Sequence, residues 1–137
     1  MAVFNKFNCF VEDLAEKKHN LGSDTLTVAL CASSNAPVAT NSVLTDLTQI
    51  SYTGLSTRAI TTTSSTQTSG VYKLVLQDLI LTASAQVAAF RYIVIYNDTA
   101  ANDELIGWYD YGTNKTLGAT DTFTIDFDGT NGFLTLT

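Results

Sequence analysis

A single histidine, His19, serves the whole chain of 137 residues, and that scarcity closes most routes to hydrolytic chemistry. A Ser/His/Asp triad or a Cys/His pair would have to pass its proton through this one imidazole. His19 sits in the run KKHN, at a predicted helix end, where the dipole favours an imidazolium in a capping or surface role. Cysteine is almost as rare. Cys9 and Cys31 are too far apart for a Cys-x-x-Cys motif, and with one histidine they cannot complete a zinc site of ordinary composition. Free, partly buried thiols are expected, because a disulfide does not persist in a reducing compartment.

Charge is thin as well. Charged residues make up 15% of the chain, against about 25% in a typical soluble domain. The 7 basic residues are outnumbered by 13 acidic ones, and the only adjacent basic pair is Lys17-Lys18. Binding to a phosphate backbone needs clustered Lys or Arg that displace counterions, so direct contact with nucleic acid is not expected. No apolar run approaches the roughly 20 residues that span a bilayer, and no membrane partner is expected. The opening segment MAVFNKFNCF has neither a basic leader nor a continuous apolar stretch, so synthesis in a cytoplasm without secretion is the expectation.

What the chain does have is apolar residues, at 45%, with a single proline, Pro37. That composition belongs to a folded domain and not to a disordered one. Thr, Ser and Asn supply the polarity. They suit strands, and they also make a surface that another protein can cover at little ionic desolvation cost.

Phe4, Phe7, Phe10, Val11 and Leu14 recur at helical spacing, with Glu12, Asp13, Glu16, Lys17 and Lys18 largely on the other face. A helix is predicted over about residues 6 to 18, with Asn20-Leu21-Gly22 as its stop. From Ser23 onward the period is that of strands. Thr25 to Leu30 alternates cleanly, Ser33 to Ser42 reads as a loop, and Val43 to Tyr52 is weakly strand-like before a turn at Thr53-Gly54. The Thr/Ser-rich run within Arg58 to Thr68 is either an edge strand or a flexible loop. Val71 to Leu81 reads as a long strand bent at Gln77-Asp78. Val87 to Tyr96 places Phe90, Tyr92, Val94 and Tyr96 on one side and Arg91, Ile93 and Ile95 on the other, which predicts a central strand. Asn97 to Asp103 is a hairpin loop, and Glu104 to Tyr111, Thr120 to Asp128 and Gly132 to Leu136 are further strands.

About eight strands with no crossover helices exclude a parallel α/β sheet. Long loops between several of them favour Greek-key or jelly-roll connections. The predicted fold is mainly β: a jelly-roll-like antiparallel β-sandwich with a short N-terminal helix. Residues 1 to 22 form a helical segment packed on a single sandwich domain spanning 23 to 137.

Candidate sites are few. Asp126-Phe127-Asp128-Gly129-Thr130-Asn131-Gly132 begins like a calcium loop, but no glutamate closes it and the flanking helices are missing. Asp110, between Tyr109 and Tyr111, is the one carboxylate whose apolar setting would raise its pKa, too little for a carboxylate-pair mechanism. No catalytic residue, metal site or cofactor is expected, and the chain is not read as an enzyme. Trp108, Tyr109 and Tyr111 form the best ligand platform, since aromatic rings on a sheet face can stack on sugars; the competing reading places Trp108 in the core and has Tyr109 and Tyr111 cover a sheet face, as the aromatic neighbouring strands favour.

The segments FNKFN, VEDLAEKKHNLGSDTLTVAL, NAPVAT, FRYIVIYNDTAANDELIGWYDYG and DFDGTNGFLTLT together resemble small structural proteins of tailed bacteriophages, in particular the cement or decoration proteins of icosahedral heads. The resemblance spans nearly the whole chain and rests on general character. It implies a virion protein on the capsid exterior, made in a bacterial cytoplasm, whose partners are the major capsid protein and a second copy of itself. Phe4, Phe7 and Phe10 would then anchor in a capsid groove or roof the sandwich. Lys17 and Lys18 would meet an acidic capsid patch or stay solvated. The alternative is a tail or fibre module that binds host glycans through Trp108, Tyr109 and Tyr111.

Overall fold

The computed structural model describes residues 2–137. Ten strands and one short α-helix follow in the order β1 (Val3–Lys6), α1 (Cys9–Ala15), β2 (Leu26–Cys31), β3 (Ala59–Ile60), β4 (Thr62–Thr68), β5 (Val71–Leu76), β6 (Leu79–Thr82), β7 (Val87–Asn97), β8 (Leu105–Leu117), β9 (Thr122–Ile125) and β10 (Leu134–Leu136). Every strand pairing is antiparallel. A five-stranded sheet runs β1-β8-β7-β2-β3, opposed by a three-stranded sheet β10-β5-β4 and a two-stranded sheet β6-β9.

The main core lies between these layers. Leu26, Val28, Leu30, Phe90, Ile93, Ile95 and Ile106 from the large sheet meet Leu74, Leu76, Leu81 and Ile125 from the smaller ones. Removing each such side chain from water contributes about 1.5–3 kcal/mol, which is what holds two otherwise separate small sheets against the large one. A second cluster covers the opposite face of the large sheet: Phe7, Ala29, Cys31, Tyr92, Val94, Tyr96, Leu105 and Trp108. Its roof is the segment between β2 and β3. Ala39, Leu44 and Leu47 pack onto that face, while Ile50, Tyr52 and Leu55 turn over to the main core. Val43 to Tyr52 is therefore not a strand. It holds a 3₁₀ turn at Leu44–Asp46, fixed by the Asp46 carboxylate, which accepts the Ser42 and Val43 backbone N–H groups at 2.8 and 3.2 Å.

With cover on both faces, β7 is central and buried almost throughout, as its unbroken apolar run predicts. One part of the predicted pattern is corrected. Phe90 does not share a face with Tyr92, Val94 and Tyr96 but joins Ile93 and Ile95 in the main core. The β7–β8 register shifts between Phe90 and Tyr92, and an irregularity of that kind reverses the alternation on either side of it.

The N-terminus differs more. In place of one helix over residues 6 to 18, Val3–Lys6 pairs with β8, Phe4 opposite Tyr109, and the helix occupies only Cys9–Ala15. Spacings of three suit a helix face, but the free edge of β8 offers backbone partners that a lone helix cannot match. Gly107 makes room for the pairing: a Cβ there would come within 2.4 Å of the Phe4 ring and 2.7 Å of the Asn5 carbonyl. Val3–Lys6 is thus part of the large sheet and not a helical appendage to it. Of the two readings for the Thr/Ser-rich run, the structure takes the edge strand, β4. The predicted bend at Gln77-Asp78 is a full break that sends β5 and β6 into different sheets.

Candidate functional site

Strand β8 decides where the aromatic side chains go. Alternation sends Trp108 to the second cluster, 8% exposed, with its ring centroid 4.5 Å from that of Phe7. Tyr109 and Tyr111 point to the other face, their centroids 6.4 Å apart. The three-ring platform therefore does not exist as one surface; two of its rings share a face and the third is core. On that face the rings form a connected series. Phe4 packs on Tyr109 at 5.1 Å and on Phe133 at 5.3 Å, Phe127 meets Phe133 at 5.9 Å, and Tyr111 meets Phe123 at 5.3 Å. Such tilted and edge-on pairs add about 0.5–1.5 kcal/mol each beyond the area they bury. They tie the first strand to the last.

Tyr109 and Tyr111 also open onto a cleft of about 620 Å³, whose remaining walls are Ala2, Thr124, Asp126, Asp128 and Gly129. Asp128 is committed to its own turn: it accepts the Thr130 and Asn131 backbone N–H groups at 2.9 and 2.7 Å and the Asn131 side-chain amide at 2.8 Å. Those bonds hold its carboxyl below the usual range. The calcium-like run is thus a hydrogen-bonded turn, and among the described residues no three His, Cys, Asp or Glu side chains converge to hold a metal ion. Asp126 is exposed. Burial, then Tyr111 and Asp126, pushes the Tyr109 phenol up to about 12, and burial with Asp126 raises Tyr111 as well.

Asp110 is corrected in sign. Arg91 Nε and an Arg91 terminal nitrogen donate to its two oxygens at 2.8 and 3.0 Å, and the Gly112 N–H donates at 2.8 Å. The Arg91 bond, then the Gly112 bond, lowers its carboxyl pKa. A forked ion pair of this kind is structural. The sequence held the signal for it: a lone arginine in a central strand needs a carboxylate on the neighbouring one.

The N-terminal candidates scatter. Phe7 is fully buried and Phe10 is 5% exposed, so both are core, and only Phe4 reaches the surface, at 38%. Lys18 is paired with the buried Asp13 at 2.9 Å. Lys17, in a left-handed conformation at φ 67°, borders a second groove of about 610 Å³ with Leu14, Leu21, Tyr72 and Leu136 among its walls.

His19 is neither a cap nor exposed; it is 5% exposed, its ring 5.4 Å from Phe10. The Asn97 side-chain oxygen accepts the Thr99 and Ala100 N–H groups, which fixes the orientation of that amide. Its nitrogen therefore donates, to Asp24 Oδ2 at 2.7 Å and to His19 Nδ1 at 3.0 Å. His19 Nδ1 must be an acceptor, and the proton sits on Nε2, which is buried without a partner. Burial lowers the imidazole pKa, against the opposing pull of Asp13, Glu104 and Asp24. This network fastens the segment after α1 to the β7–β8 hairpin. No catalytic base emerges from it, since its one acceptor nitrogen is already occupied.

Comparison with protein-family models, curated proteins and solved structures finds no match to this chain.

Proposed function

We propose that the chain is a virion structural protein, a cement or decoration protein that binds the outer surface of the icosahedral head of a tailed phage and ties neighbouring major capsid subunits together. The observation that carries the reading is how the surface is distributed. Exposed apolar side chains sit on separate elements, Val3 on β1, Val11 on α1, Val38 in the roofing loop and Ile80 on β6, with exposures of 53 to 63%. None makes a single strong site, and all are mounted on a sandwich packed on both faces of its main sheet. Many modest contacts repeated over a lattice give high avidity from weak individual sites. A protein that binds only the assembled shell stabilises that state by mass action, with no bond made or broken.

The jelly-roll connectivity, the exterior location, the pairing of copies and the major capsid protein as partner all belong to this proposal, which also draws on the resemblance in sequence. No helix among the described residues is long and apolar enough to cross a membrane. Copy number per particle, from quantitative gels of purified virions, tests the reading. Hundreds of copies are expected; a handful would move the protein to a tail part, and none in any virion would sink it.

One observation favours a second reading, a tail or fibre module that binds host glycans. Tyr109 and Tyr111 line one open cleft, where rings could stack on a sugar. That reading predicts glycan binding lost on Tyr111→Ala. It no longer includes Trp108, which is buried on the other face.

A further inference from the structure

The cleft beside Tyr109 and Tyr111 carries two charged side chains, Asp126 and Asp128, both acidic, and among the described residues no Lys or Arg lines it. We propose that it is a binding site for an arginine side chain presented by a partner protein. The inference stands on the cleft alone and holds whether or not the decoration reading does.

The chemistry of the walls selects the ligand. Tyrosine faces are the negative side of the ring quadrupole and attract a cation within about 6 Å of the centroid. Lys115 Nζ lies 6.0 Å from the Tyr111 centroid, at the outer edge of that range, and Lys115 is not among the residues that line the cleft. Asp126 is exposed and, among the described residues, neither hydrogen-bonded through its side chain nor ion-paired. A free carboxylate accepts two parallel N–H bonds from the planar fork of a guanidinium, which an ammonium cannot supply. The chain's own arginines are engaged elsewhere: Arg91 on Asp110, and Arg58 on the Val28 carbonyl and over the Tyr52 ring, 3.7 Å from its centroid. Lys73 is held by the Thr130 carbonyl at 3.0 Å.

A neutral sugar would find donors in the two phenols and the Thr124 hydroxyl and acceptors in the carboxylates, but it would leave the negative charge of Asp126 and Asp128 unneutralised, which a guanidinium does not. Thr124 in β9 and Asp126 just after its end flank the buried Ile125, so the polar side chains line the cleft while Ile125 joins the core.

The test is an NMR titration of the intact chain with a blocked Gly-Arg-Gly peptide, beside the same peptide carrying citrulline, which keeps the shape of arginine and lacks its charge. The arginine peptide is expected to move the Tyr109 and Tyr111 ring resonances saturably, with affinity falling as salt is added, and the citrulline peptide to bind at least about tenfold more weakly. Asp126→Asn should weaken arginine binding by about tenfold, and Glu12→Gln, on the exposed face of α1, should leave it unchanged. Tyr111→Leu, checked for native melting, provides a second arm and should weaken binding as well. Equal binding of the citrulline peptide, an unchanged affinity in Asp126→Asn, no saturable shift at all, or tighter binding of a neutral oligosaccharide at the same resonances would overturn the proposal.

Discussion

At the scale of single residues, the one imidazole and the two thiols are buried or half-buried in structural contacts. His19 shows this most clearly, and its setting has a pH signature. Burial holds the folded-state pKa below the ordinary 6.5, and protonating Nδ1 would set two donors, His19 and Asn97, against each other. The unfolded chain takes up a proton that the folded chain resists. Stability is therefore full above about pH 6.5 and is lost as pH falls from there through the folded-state value, at no more than about 1.4 kcal/mol per pH unit. Urea melts between about pH 5.5 and 7 should show this slope in the native chain and a flat profile in His19→Gln. A slope of equal size in the variant would assign it to other groups. The two thiols make a second case. Burial pushes Cys9 and Cys31 up to about 11, so about one in a thousand is thiolate at pH 8. Iodoacetamide should label the native chain far more slowly than the denatured one, and rapid native labelling of Cys9 would contradict its placement against the Ser42 and Leu105 carbonyls.

At the scale of elements, β1 is the part least expected and most open to test. It docks because Gly107 leaves space for Phe4. Gly107→Ala should cost about 1–3 kcal/mol by overpacking, with amide exchange accelerating in β1 while β2 and β7 keep their protection. Phe7→Ala, which empties a fully buried site against Trp108, should cost about 3–5 kcal/mol, and more than Phe4→Ala. If the two cost the same, Phe7 is not core. These elements also show what a sequence discloses. The position of β7 and the loop after β2 are local patterns, and local patterns were legible; at Gln77-Asp78 the sequence showed a bend in one strand, but not the break that sends its halves to different sheets. The N-terminal strand was not, because Phe4, Phe7 and Phe10 satisfy a helical period and nothing nearby reveals the edge of β8, about a hundred residues on. The shift at Phe90 escaped for the same reason, since strand alternation assumes a register that only the partner strand sets. Of the candidate site, Tyr109 and Tyr111 were visible as rings. Asp126 as a free carboxylate beside them was not, because its neighbours come from a different strand.

At the scale of the whole molecule, the large sheet is packed on both faces and draws strands as short as two residues into one body. Exposed apolar side chains are spread over its outside on separate elements, and the two ion pairs among the described residues are internal to the chain. Such a body is suited to being held on several sides at once. The measurement that bears most directly on the proposed decoration role is reconstitution: purified chain added to phage heads prepared without it, with bound copies counted and the shell's melting temperature followed. The account predicts saturation at a fixed stoichiometry to the major capsid protein, together with a rise in shell melting temperature that grows with occupancy. Heads that take up no chain at saturating concentration, or that take it up and melt where bare heads do, would contradict it.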